Sequence, residues 1–202
     1  KRAASSAIKA NLNMCPLTGG IDDKAVFTDL KRAVDGDVSY APGLLLLSHL
    51  SDRLAFRDEA IRFANQALAI PGAPARWHAE RAYIYFHMRK NAESIADYTT
   101  AIDAGSPEAH WFGSRGSAKA DSGDHPGAVK DYDRALAMDP DLPETWFNRG
   151  RSKKLLGRPA DAILDFDESL RRDPDNAARI PLNLGDCHSS LERYDEAIAA
   201  YR

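Results

Sequence analysis

An all-α chain of antiparallel helix pairs set side by side is what the sequence predicts, and three observations predict it. The chain matches itself at an offset of 34 residues. The matched positions place small residues at one level of each predicted helix and large apolar residues one and two turns further on. Prolines and glycines recur at the joints, where they end one helix and begin the next.

At that offset Trp111-Phe112-Gly113-Ser114-Arg115-Gly116 falls on Thr145-Trp146-Phe147-Asn148-Arg149-Gly150, and Ala128-Val129-Lys130-Asp131-Tyr132 falls on Ala162-Ile163-Leu164-Asp165-Phe166. Units begin at Ala41, Ala75, Ala109 and Pro143, then at Ala178 after one inserted residue. Position 8 of the units reads Ser48, Ala82, Gly116, Gly150 and Gly185, and position 20 reads Ala60, Ser94, Ala128, Ala162 and Ala197. Small groups there let two helices approach closely. Position 24 carries Tyr98, Tyr132, Phe166 and Tyr201, and position 28 carries Leu68, Ile102, Leu136 and Leu170, the expected filling of the core. Gly123-Asp124-His125-Pro126 and Gly157-Arg158-Pro159 mark turns inside units, while Pro71, Pro74, Pro107, Pro140, Pro143 and Pro174 mark joints between them.

With this period, these small positions and these prolines, residues 41–202 resemble the tetratricopeptide repeat family. The resemblance implies a right-handed α-α superhelix with repeats at 41–74, 75–108, 109–142 and 143–177 and a truncated one at 178–202. Residues 1–40 read as a degenerate capping repeat, with a helix over 22–34 and no good first-helix pattern around Asn13-Met14-Cys15-Pro16; an unrelated docking segment is the alternative. With Lys1 first and Arg202 inside a helical pattern, the chain reads as a piece of a longer protein.

Position 7 is Leu47, Arg81, Arg115, Arg149 and Leu184, and position 23 is Phe63, Asp97, Asp131, Asp165 and Ala200. Arg and Asp appear together in the three middle units and are absent together from the outer two. The pattern predicts structural ion pairs Arg81–Asp97, Arg115–Asp131 and Arg149–Asp165 between the two helices of each hairpin.

Composition removes several function classes. Lys and Arg total 27 against 30 Asp and Glu, a net charge of −3, so the basic surplus of a nucleic-acid binder is missing. Apolar runs such as Leu44 to Leu47 fall far short of the roughly 20 residues a membrane span needs. Cys15 and Cys187 lie near opposite ends and are expected as free thiols, and no His or Cys pair has zinc spacing, so neither metal nor cofactor is expected. There is no phosphate loop and no nucleophile elbow. Asp131 with Asp133, and Asp165 with Asp167, stand two apart on a helix and do not face each other, so no enzyme is expected.

In the family, the first helices line a concave groove that takes a peptide or partner helix. Carried onto matching positions here, the groove comprises Arg76, Glu80, Tyr83, Phe86, His110, Ser117, Asn148, Arg151, Lys154, Arg179, Asn183 and Asp186. Asn148 and Asn183 occupy one position in consecutive units and suit a peptide backbone. Tyr83 and Phe86 offer an apolar shelf, and Arg151, Lys154 and Arg179 concentrate positive charge for an acidic group. The chaperone-tail branch uses Lys at position 5 and Asn at position 9, and neither is present here. The function implied is a protein- or peptide-binding scaffold. Alternatives are the recruiting or regulatory arm of a larger enzyme or of a secretion or assembly protein, and a module that associates with its own copies as a homo-oligomer.

Overall fold

The computed structural model describes residues 23–35 and 41–201. Among them the fold is all-α: α1 (Asp23–Asp35), α2 (Ala41–Arg53), α3 (Arg57–Leu68), α4 (Arg76–His87), α5 (Asn91–Asp103), α6 (Ala109–Asp121), α7 (His125–Met138), α8 (Pro143–Leu155), α9 (Pro159–Arg172), a 3-10 turn (Pro174–Arg179), α10 (Ile180–Ser190) and α11 (Tyr194–Ala200). The helix expected over 22–34 is α1, one residue later. Cys15 and the segment Asn13 to Pro16 lie outside the described residues. The chain divides into two compact units, one ending at Trp77 and one beginning at His78.

In the first unit α1 packs on α2, and α2 pairs with α3. The core is Leu30, Val34, Leu44, Leu47, Leu50, Phe63, Ala67 and Trp77. Leu47 and Phe63, the apolar replacements for Arg and Asp at positions 7 and 23, are buried in it. Ser48 at the small position is also buried, and its hydroxyl donates to the Ala60 carbonyl at 2.7 Å, which satisfies a polar group that burial would otherwise penalise.

In the second unit each helix from α6 to α11 packs on the next, and first helices also touch first helices, α6 with α8 and α8 with α10. Close approach explains the small residues. A Cβ at Gly116 would lie 2.8 Å from the Tyr132 ring, and one at Gly150 would lie 2.8 Å from the Phe166 ring. The position-24 ring thus rests on the position-8 glycine of its own hairpin. Tyr98, Tyr132 and Phe166 are 0–2 % exposed. Tyr201, expected in the core with them, is 49 % exposed: its ring covers Gly185, but among the described residues no further hairpin covers the ring.

The turn between the helices of a hairpin has one recurring conformation. Gly123 and Gly157 have φ of +86° and +72°, and Ala55, Arg89 and Glu192 have φ of +64°, +59° and +59°. All five stand at position 15 of their unit. The left-handed region suits glycine and costs other residues about 1–2 kcal/mol. α7 has a side-chain cap, Asp124 accepting from the Gly127 amide at 2.9 Å; Pro126, Pro143 and Pro159 sit in first turns, where a missing N–H costs nothing.

Two measurements test these packing assignments. Glu192→Gly is expected to raise the urea unfolding free energy by about 1 kcal/mol and Gly157→Ala to lower it by a similar amount; no gain from Glu192→Gly would mean the turn relaxes elsewhere. Burial pushes the Tyr98 and Tyr132 hydroxyls up to about 12, with hydrogen bonds to Ser114 and Ser117 pulling them back down. Free tyrosine titrates near 10, so their contribution is complete below that pH and is lost as pH rises toward about 12. The Tyr98→Phe, Tyr132→Phe double variant should lose less stability than the native chain over that alkaline window, and parallel losses would refute the assignment.

Candidate functional site

Buried charge organises the second unit. Arg81 Nε donates to Asp97 Oδ2 at 2.6 Å and Nη2 to Oδ1 at 2.7 Å. Arg115 forks onto Asp131 at 2.8 and 2.8 Å, and Arg149 onto Asp165 at 2.9 and 2.7 Å. Each guanidinium thus presents two nitrogens to two carboxylate oxygens, the bidentate geometry that gives arginine its specificity. The carboxylates are only 3–9 % exposed. The hydrogen bond to Asp97 raises the Arg81 pKa despite desolvation; for Arg149 burial works downward but Asp165 and Asp133 outweigh it.

Two features of these pairs were not anticipated from sequence. The remaining nitrogen of the fork reaches the preceding hairpin: Arg115 Nη1 donates to Thr99 Oγ1 at 3.0 Å and Arg149 Nη1 to Asp133 Oδ1 at 2.7 Å. Thr99 and Asp133 share position 25, two residues beyond the aspartate of their own unit. In addition, every carboxylate has a second partner and every guanidinium an aromatic neighbour. Asp131 and Asp165 receive Lys119 and Lys153 at 2.8 Å, while Asp97 meets His78 Nδ1 at 3.0 Å. Phe112 and Trp146 lie beside Arg115 and Arg149, while Tyr85 lies beside Arg81. Positions 4 and 11 therefore exchange duties: His then Tyr in one unit, aromatic then Lys in the next two. Comparing positions 4 and 11 across units was the available signal.

The inner-face candidates fall into three groups. Tyr83, 48 % exposed, meets His87 edge-on with ring centroids 4.3 Å apart, and Phe86 meets the same imidazole at 5.9 Å. Glu80 is half-buried on the same helix, and Arg76 is exposed in the first unit. His110 sits beside Glu108 at 3.5 Å, and Ser117 donates to the Gly113 carbonyl and accepts from Tyr132.

The third group is a network joining α8 to α10. Lys154 Nζ donates to Asn183 Oδ1 at 2.8 Å and Asp186 Oδ2 at 3.0 Å, Asn183 donates to the Arg179 carbonyl, and Tyr201 donates to Asp186. The Lys154 hydrogen bond is the first cause of the lowered Asp186 pKa. Arg179 donates to Glu144 at 2.7 Å and lies over the Phe147 ring at 4.6 Å. Arg151 approaches the same ring at 5.9 Å. The structure therefore does not bring Arg151, Lys154 and Arg179 together as three open cations. Two have carboxylate partners; Arg151, among the described residues, has none. Asn148, half-buried one turn before it, makes no side-chain hydrogen bond among them. Cys187 is buried as a free thiol, no group of residues suited to a metal ion occurs among the described residues, and none of their helices is long and apolar enough to cross a membrane.

Paired antiparallel helices, a left-handed turn at one repeating position and side-chain bridges between successive hairpins define a helical-repeat protein. Residues 116–157 match the family described as TPR repeat and residues 147–202 the family described as tetratricopeptide repeat. Residues 116–202 thus carry tetratricopeptide repeats, which places the chain among protein-interaction scaffolds. Solved structures agree in fold. YrrB, a TPR protein with an unusual peptide-binding site, superposes with a TM-score of 0.71 at 18% identity, covering 85% of this chain and 88% of its own. PilW, a type IV pilus biogenesis factor, gives 0.78 at 20% over 98% and 87%, and a tetratricopeptide repeat protein from Parabacteroides merdae gives 0.78 at 15% over 99% and 78%. No curated protein matches the sequence.

The buried forks make a stability prediction. Arg115→Leu alone leaves Asp131 short of its main partner and should cost about 3 kcal/mol, whereas Arg115→Leu with Asp131→Ala removes the stranded charge and should recover most of that loss. Urea unfolding of both variants decides it; a double variant no more stable than the single would show that the loss comes from packing and not from charge.

Proposed function

We propose that the chain is a non-catalytic scaffold that receives a peptide, or an extended segment of a partner protein, along the inner faces of α6, α8, α10 and the part of α4 that follows His78. The observation that carries this reading is the contrast on those faces. Most of their polar groups are tied to a neighbour, while Asn148, Arg151 and the exposed edge of Tyr83 are left to meet something else. An amide can both donate to and accept from a peptide backbone, and an exposed aromatic ring provides area at low entropic cost. Under this proposal the repeats are 41–74, 75–108, 109–142, 143–177 and 178–202, with 1–40 as a cap. The recurrence of the left-handed turn at position 15 supports that division, and the three Arg–Asp forks serve structure, not ligand. YrrB's peptide-binding site is a precedent from a structure of the same fold.

The test is selection from a phage-displayed library of random peptides with the native chain and with a Tyr83→Ala, Asn148→Ala, Arg151→Ala variant, both shown to be folded by circular dichroism. Peptides enriched by the native chain and lost from the variant are expected. Equal enrichment by both, or none by the native chain, would remove the inner face as the binding surface.

A further inference from the structure

The charges around α8 show what such a ligand must carry. The α8–α10 network is locally balanced except at one residue. Lys154 is matched by Asp186 at 3.0 Å and Arg179 by Glu144 at 2.7 Å. Asp121, the carboxylate of the preceding hairpin that acts with Arg151 on the Tyr132 hydroxyl, is held by Arg89 at 2.6 Å. These three carboxylates are held by other cations, and among the described residues Arg151 has no carboxylate partner.

That surplus is not free to drift. Arg151 is exposed on α8, its guanidinium 5.9 Å from the centre of the Phe147 ring, which Arg179 also approaches, at 4.6 Å. Lys154 stands one turn further along the helix and Asn148 one turn before, so Arg151 lies between a cation that repels it and an amide with spare donors. A carboxylate placed here would take the guanidinium N–H groups and the Asn148 amide together.

We propose that Arg151 and Asn148 form a subsite for one acidic side chain of the bound peptide, so that ligands are selected for an Asp or Glu at the residue crossing α8. The inference rests on the inner-face reading above and adds a charge requirement to it. The complementarity is local: the whole chain carries a net charge of −3, so indiscriminate attraction of acidic peptides is not expected.

The experiment is an array of short random peptides, each synthesised in three forms with Glu, Gln or Lys at its centre, and probed with the labelled 202-residue chain and its Arg151→Gln and Arg151→Glu variants. The native chain should be retained on Glu forms about tenfold more strongly than on their Gln partners. Arg151→Gln should erase that preference, and Arg151→Glu should turn it toward Lys. Arg151 is exposed, so neither change disturbs the core, and the Gln variant decides alone if the Glu variant does not fold. Equal retention of Glu and Gln forms by the native chain would overturn the acidic subsite and leave the inner face standing. A Glu preference that survives Arg151→Glu would place the recognising cation elsewhere. No retained peptide at all would overturn both readings.

Discussion

A carboxylate that is 3–9 % exposed needs several hydrogen-bond donors to replace the water it has lost, and three such carboxylates sit in the second unit. Asp97, Asp131 and Asp165 each demand a planar fork from the facing helix and a second donor besides. Meeting that demand fixes the axial register of the two helices, because a bidentate pair tolerates little sliding. For Arg115 and Arg149 the spare guanidinium nitrogen is turned toward the preceding hairpin, so the side chain that sets the register within one hairpin also sets it between two. The small residues at positions 8 and 20 admit the close approach the fork needs, and they persist with Ser48 and Gly185 in the outer units, where the position-24 ring or apolar packing still requires it.

The outer unit boundaries show the same constraint by its absence. Where position 7 is Leu47, position 23 is Phe63, and both lie in an apolar core. A lone arginine or a lone aspartate at either place would strand a charge, so the two positions change together. Apolar pairing and ionic pairing are thus alternative ways to fill the same space, and one chain uses both.

Much of this was legible in the sequence because the relevant interactions repeat. Period, small positions, glycine turns and the Arg and Asp covariation are visible as soon as the units are aligned. What was not legible depends on rotamers or on exposure. The exchange of roles between His78 and Tyr85 on one side and Phe112 with Lys119 on the other preserves no residue type at either position, so the alignment shows variation where the chemistry is constant. Arg89 and Glu192 hide a left-handed turn that Gly123 and Gly157 announce. Tyr201 has the residue type of a core position, but how deeply it is buried depends on what lies next to it, which residue type alone does not record.

The inner face is the place where repetition stops helping, and under the proposed reading it is also where specificity lies. Lys154 and Asp186 are 32 residues apart and look like two ligand contacts until the structure joins them. Such bridges between successive first helices spend most of the polar groups the family would present to a partner, and each spent pair is worth little to a ligand, which would have to break it to use it. Affinity then falls to the few side chains left over, while the satisfied ones shape the surface and exclude water around them. A repeat protein can in this way keep a rigid, internally balanced scaffold and still change partner by altering one or two unpaired residues on a first helix, because those residues hold no hairpin together.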